Sequence, residues 1–320
     1  MKGDLPMTQH EPGLITVLGP TAAGKTRLAA LLADAVNGEI ISADSRQVYR
    51  RMDIGTGKDL DDYQVDGKTI PCHMVDIAEP GEAYDLHRYL HDFSTAFSGI
   101  TARGRQPVLC GGSGMYLEGV ISAYHLPPAP VDPVLRLKLE AFPDEVLVQM
   151  LQARKALHNT TDTTDRSRLI RALEIALTAE NGTTAPQDNL LQHIGHLVLG
   201  VAVPREVLRE RITRRLQDRL QQGLVEEVQA LLDSGLTPGQ MRYYGLEYRY
   251  VTDYLTGVTR YEAMVGLLNT AIHQFAKRQM TWFRRMEKNG IPIHWIDGNG
   301  NENQRLEESL TICCANGFSF

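Results

Sequence analysis

Cysteine is scarce in this chain, with only Cys72, Cys110, Cys313 and Cys314 among 320 residues. Their spacing fits neither a disulfide framework nor a metal site. Cys72 and Cys110 lie in apolar runs and read as small buried hydrophobes rather than catalytic thiols. Charge of one sign is also in short supply: the formal net charge is −6, and 22% of residues are charged. No global attraction to nucleic acid or to an anionic membrane follows from that, so a polyanionic partner must meet a local basic surface. Long apolar runs are missing, none reaching the roughly 18–20 residues of a membrane span. The opening MKGDLPMTQHEPG has no apolar core of the signal-peptide kind. No membrane association is expected, and the reducing cytoplasm is the expected compartment.

What is present is enough apolar sequence, 42% of the chain, to build one large core with an accessory domain. Short β-branched runs alternate with helical stretches. The strand candidates are 14-LITVL-18, 39-EIISA-43, 72-CHMVD-76, 107-PVLCG-111, 197-LVLGVAV-203 and 291-IPIHWID-297. This alternation predicts an α/β fold, a parallel sheet with helices on both faces. Between residues 125 and 191 the texture changes. After the proline-rich 126-LPPAPVDP-133 the sequence is charged, helical in period and poor in β-branched residues. A connection this long exceeds a single crossover helix and predicts a helical insertion. The core is then assigned to residues 13–124 and 192–300, with 301–320 as a C-terminal tail.

The segment 19-GPTAAGKT-26 follows the first strand candidate and precedes the amphipathic RLAALLADA, the context a phosphate-binding loop requires. Gly19 and Gly24 let the backbone curl around Pro20, Thr21, Ala22 and Ala23 until successive N–H groups form an anion nest at a helix start. Lys25 adds a positive charge, and the Thr26 hydroxyl suits a magnesium ion. The motif does not name a reaction: the bound phosphate, of ATP or another ester, is either the group transferred or the group that leaves.

Strand C-termini face the ligand crevice in such a fold. Asp44, at the end of the second strand, should therefore face the substrate as a proton acceptor or magnesium ligand, unless it only caps the turn beside Ser45. Ser45, Arg46 and Gln47 are hydrogen-bonding residues able to read a base. Gly111, Gly112 and Ser113 end another strand and allow either close ligand approach or a tight turn. Asp76 is a second carboxylate or a loop residue bonding its own backbone.

Two helices are basic. In 204-PREVLRERITRRLQDRL-220, Arg211, Arg215 and Arg219 share a face beside the apolar Leu208, Ile212, Leu216 and Leu220. Arg209 and Arg219 read as solvated. In the second, from about Val265 to Met286, the period turns Leu268, Ile272, Phe275, Gln279 and Trp282 inward. Lys277, Arg278, Arg284 and Arg285 are left for solvent or a polyanion. Within 165-DRSRLIRALE-174, Arg168 and Arg171 share a helix face.

Together these segments resemble the bacterial tRNA dimethylallyltransferases, or tRNA isopentenyltransferases. The matching pieces are GPTAAGKT at 19–26, SADSRQVYRRMDIGTGK at 42–58, HMVDIAEPGEAY at 73–84, PVLCGGSGMYL at 107–117, RLIRALEI at 168–175 and AKRQMTWFR at 276–284. The resemblance implies transfer of a dimethylallyl group from its pyrophosphate to N6 of the adenine 3′ of the anticodon, in tRNAs reading codons that begin with U. It assigns catalysis to Asp44 as general base, with Thr21 and Arg215. Pyrophosphate binding falls to residues 19–26 and Arg215, with Mg²⁺ as cofactor. tRNA contacts fall to Ser45, Arg46, Gln47, Ser113, Arg168, Arg171, Lys277, Arg278 and Arg284, and the insertion grips the anticodon stem-loop. A monomer is expected.

The chain departs from the family pattern at 245-GLEY-248, where a tyrosine and a polar or basic residue usually follow the glycine. His273 replaces an arginine, Thr164 an asparagine, and Asp85 a common serine. Three rival readings remain: a kinase using the same loop with ATP, an enzyme prenylating free adenylate, and an RNA-binding relative without catalysis.

Overall fold

The computed structural model describes residues 13–124, 126, 132–154, 165–181 and 190–320. The N-terminal stretch, most of the proline-rich entry and Thr164 lie outside the described residues. The chain divides into two compact units, one formed by residues up to Tyr124 with Leu190–Phe320, the other His125–Asn189.

The first unit is built on a parallel sheet, six-stranded among the described residues. Its strands are β1 (Leu14–Leu18), β2 (Gly38–Ala43), β5 (Cys72–His73), β6 (Gln106–Gly111), β7 (His196–Ala202) and β8 (His294–Asp297). A small hairpin of β3 (Gln64–Val65) and β4 (Lys68–Thr69) stands apart. The order is β5-β2-β6-β1-β7-β8. In β1 every residue is buried, as expected of a strand covered on both faces. Leu14 and Leu18 join the core on one face while Ile15 and Val17 join the core on the other, the two-residue alternation of a strand. The register sets Leu18 beside Gly111, and Gly111 beside Ala43. The loops after β1, β2 and β6 therefore leave the sheet at one level, side by side.

Two strand candidates shorten. The third ends at His73 because Met74 and Asp76 take positive φ of 66° and 55°, which breaks the extended path. The last begins only at His294, after Pro292, which has no N–H to donate.

Helix α1 (Lys25–Ala35) covers one face, and α2 (Leu86–Ala102) and α3 (Gly114–Ile121) the other. Asp85, where serine is common, caps α2 by accepting from the Arg88 amide at 2.9 Å, a role either residue fills. In the second unit, α4 (Pro133–Glu140), α5 (Asp144–Gln152) and α6 (Arg166–Asn181) enclose a separate core of Leu139, Leu147, Leu151, Leu169, Ile170 and Leu173. The first unit resumes with α7 (Arg205–Gln221), α8 (Leu224–Asp233), α9 (Pro238–Met241), α10 (Leu246–Leu255) and α11 (Tyr261–Lys288). Along α11 the buried positions include Leu268, Ile272, Gln279, Phe283 and Met286. Phe275, predicted inward, is 38% exposed. It stands at the margin of the stripe with Arg278 over its ring, and Phe283 fills the core instead.

Residues 301–320 are not a tail. They form α12 (Glu302–Ala315), opened by a capping box between Asn301 and Gln304 and packed on α1 through Leu306, Leu310 and buried Cys313. Burial raises the thiols of Cys72, Cys110 and Cys313 to about 12, which removes them as nucleophiles at neutral pH. No helix among the described residues is long and apolar enough to cross a membrane.

Candidate active site

The loop after β1 curls as its glycines require. Gly24 takes φ of 81°, and a Cβ at Gly19 would press on the Val201 carbonyl at 3.3 Å. Ala22 also has positive φ, 63°, a conformation that costs about 1 kcal/mol or more outside glycine. The loop is braced from α11: the Thr21 amide donates to Gln279 Oε1 at 2.8 Å, and Gln279 Nε2 donates to the Gly112 carbonyl at 2.9 Å. One buried amide thus ties the loops after β1 and β6 together.

The loop opens on a cavity of about 290 Å³. Its floor is Thr21, Ala22, Gly24, Lys25 and Thr26, and Asp44 and Gln47 enter from the end of β2. Arg211, Arg214, Arg215 and Asp218 descend from α7 on another side. Arg215 Nη2 donates to the Thr21 hydroxyl, so two residues far apart in sequence meet at the loop after β1. Lys25 Nζ turns to the Pro20 carbonyl at 3.4 Å. Burial pulls the Lys25 ammonium below its ordinary value, and Arg215 adds to the effect. Burial and the neighbouring Arg219 bring the Arg215 guanidinium down to about 10, still charged at neutral pH. Two half-buried cations at the start of α1 favour an anion.

The remaining wall comes from residues that sequence reasoning did not assign to the site. Thr56, Gly57, Asp59 and Asp62 line the cavity from the segment after β2, as do Arg211 and Arg214 beside Arg215. Their only signal in the sequence is membership of the 42–58 stretch, or nearness to it, and of the arginine-rich helix. Arg219, expected to be solvated, is buried with 7% of its side chain exposed and faces Asp59 and Glu247. Two carboxylates supplied by distant segments make that burial tolerable. Arg209 is exposed as expected.

Asp44 is both turn cap and cavity wall, its Oδ1 accepting from the Arg46 amide at 2.9 Å. The Ser113 hydroxyl accepts from the Ser45 amide at 3.0 Å, linking two strand ends. Gln47 donates to the Gly57 carbonyl at 2.9 Å and accepts from Ser42. Arg46 lies over the exposed ring of Tyr243, 4.8 Å from its centroid. Asp76 and Asp53 hold the buried ammonium of Lys58, so Asp76 is structural. Lys277, Arg278 and Arg284 are exposed on α11. Arg168 and Arg171 belong to the other unit and border a recess there with Arg136. Arg168 is exposed, while Arg171 and Arg136 both pair with buried Glu174.

Residues 47–286 match the family described as IPP transferase. A protein of Porphyromonas gingivalis named tRNA dimethylallyltransferase 1 is 52% identical over 304 residues, covering 95% of this chain and 100% of the relative.

The chain belongs to the IPP transferase family.

A family relative from Bacteroides fragilis, tRNA dimethylallyltransferase 2, is 50% identical over 92% of this chain and 94% of its own length. Among solved structures, the tRNA isopentenylpyrophosphate transferase of Bacillus halodurans superposes with a TM-score of 0.68 at 31% identity, covering 95% of this chain and 96% of its own. A eukaryotic dimethylallyltransferase crystallised while acting on tRNA shares the fold, with a TM-score of 0.78 at 23% identity over 96% and 79% of the two chains. In the segment 245–248, Leu246 opens α10, Glu247 faces Arg219, and the Tyr248 hydroxyl donates to Glu227 at 2.7 Å.

Proposed function

We propose that this chain transfers a dimethylallyl group from dimethylallyl pyrophosphate to N6 of the adenosine 3′ of the anticodon, in tRNAs reading codons that begin with U. The observation that carries the reading is the bond from Arg215 to Thr21, which joins a half-buried cation to a phosphate loop sharing its cavity with Asp44. Relatives at about half identity over nearly their whole length bear the name of this activity.

In the reaction the allylic C–O bond breaks and its electron pair moves to the departing pyrophosphate. Lys25, Arg215, the Thr21 hydroxyl and the loop amides would offset that growing charge. The N6 lone pair forms the new C–N bond, and the N6 proton passes to the Asp44 carboxylate. The Thr26 hydroxyl with Asp62 is an oxygen-only set in the same cavity. It suits a magnesium ion that keeps water and phosphate as further ligands. When bound, such an ion would add positive charge beside the leaving group. The target base must leave its stack to reach the cavity, and exposed Arg168, Lys277, Arg278 and Arg284 are suited to RNA phosphates.

The test is a transfer assay with purified protein, Mg²⁺ and labelled dimethylallyl pyrophosphate. Total tRNA, AMP, and ATP as alternative donor are run in separate arms. Label is expected in tRNA. Label on AMP would place the chain with enzymes of free nucleotides, ATP consumption without prenyl transfer with the phosphotransferases. Retention of tRNA with neither would make it a binding protein.

A further inference from the structure

Arg219 has no role in the reading above, yet it occupies a place no ordinary surface arginine could reach. Its Nη2 lies 3.4 Å from both carboxylate oxygens of Asp59, and its Nη1 lies 4.0 Å from Glu247 Oε1. Asp59 in turn stands 3.9 Å from Arg215 Nη1, and Arg215 bonds Thr21. Charges therefore alternate from Glu247 through Arg219, Asp59 and Arg215 to the phosphate loop.

Space for this arrangement exists only because residue 57 is glycine. A Cβ built there would collide with Arg219 Nη2, and Gly57 has φ of 67°. From the opposite side the Glu227 carboxylate accepts from the amides of Asp53, Ile54 and Gly55 at 2.8–3.0 Å. The segment that delivers Asp59 is thus held from both sides.

We propose that Arg219 is a positioning residue for the pyrophosphate site, acting through Asp59 on Arg215. The inference rests on the reading of this cavity as a pyrophosphate site. Arg215 and Arg219 are one helical turn apart, and their like charges repel. Asp59 offsets that repulsion while its carboxylate is divided between two guanidinium groups. Arg215 then keeps charge to offer to an incoming anion. Without Arg219, Asp59 pairs with Arg215 alone, competing with the ligand and drawing the guanidinium from Thr21.

The experiment measures steady-state transfer and competitive inhibition by inorganic pyrophosphate in the full chain. For Arg219→Met, the KM for dimethylallyl pyrophosphate and the pyrophosphate inhibition constant should each rise about tenfold, the equivalent of one lost charge-assisted contact. The KM for tRNA should stay within about twofold, since the buried Arg219 side chain offers no charge to an RNA phosphate at the surface. Adding Asp59→Asn removes the competitor and should restore the donor KM, a rescue that a purely structural role would not produce. Gly57→Ala should mimic Arg219→Met and add nothing to it. Arg219→Lys, with a smaller rise, serves where the methionine variant fails to accumulate. An unchanged donor KM, equal rises for donor and tRNA, or no rescue by Asp59→Asn would overturn the proposal. Absence of prenyl transfer by the unaltered chain would instead overturn the reading on which it rests.

Discussion

At the scale of single residues, the cavity is governed by charges held out of water. Lys25 and Arg215 are half-buried at the loop after β1, and only part of their charge is met by Asp44 and Asp59. An anion bound there meets cations already partly desolvated on folding. In the proposed reaction Asp44 has a different task, that of receiving a proton from its place in the cavity wall. Asp44→Ala should lower turnover by about 10²–10⁴ with tRNA affinity nearly unchanged, as measured by single-turnover transfer beside filter binding. Near-normal turnover in that variant would remove Asp44 from the chemistry. The motif residues at this scale are legible in the sequence because each carries its chemistry locally: a glycine where φ must be positive, a lysine at a helix start. Arg219 reads as solvated in the sequence because its partners come from residues 59 and 247, which no periodicity connects to it.

At the scale of elements, the central strands combine tight packing with one unresolved cost. His196 opens β7 beside Leu14, and neither ring nitrogen has a hydrogen-bond partner among the described residues. Burial lowers its imidazole from 6.5 to about 4. The unfolded chain therefore takes up this proton below pH 6.5 while the folded chain waits until about 4. Stability is lost as pH falls through that interval and the loss is complete below it. His196→Leu should show a shallower fall in Tm between pH 6.5 and 4, and parallel curves for the two proteins would show that the ring finds solvent on folding. Helix α12 depends on its neighbours in another way. Its capping box is present in the sequence as Asn301 and Gln304, yet the segment reads as a tail because its apolar positions acquire a partner only when α1 lies beside them. Phe275 departs in the other direction, since a helical stripe has a margin and periodicity does not say which side of it the core covers.

At the scale of the whole molecule, an acidic protein with net charge −6 can meet an RNA only through local basic surfaces. Exposed Arg168 in one unit and exposed Lys277 in the other are available for that purpose. Arg168→Glu and Lys277→Glu should each raise the KM for tRNA and reduce the salt dependence of binding by about one phosphate contact, with the KM for dimethylallyl pyrophosphate unchanged. A change confined to the donor KM would assign these residues elsewhere. The sequence by itself determined the α/β class, the curled glycine-rich loop after β1, the family resemblance and the polar strand ends, since each depends on local conformation or on neighbours a few residues away. Tertiary structure alone decided that Gln279 clamps two loops, that Asp76 serves Lys58, that Asp59 stands between Arg215 and Arg219, and that the last helix joins the core. Those are contacts between distant segments, brought within a few ångströms by a sheet whose strand order departs from the order of the chain.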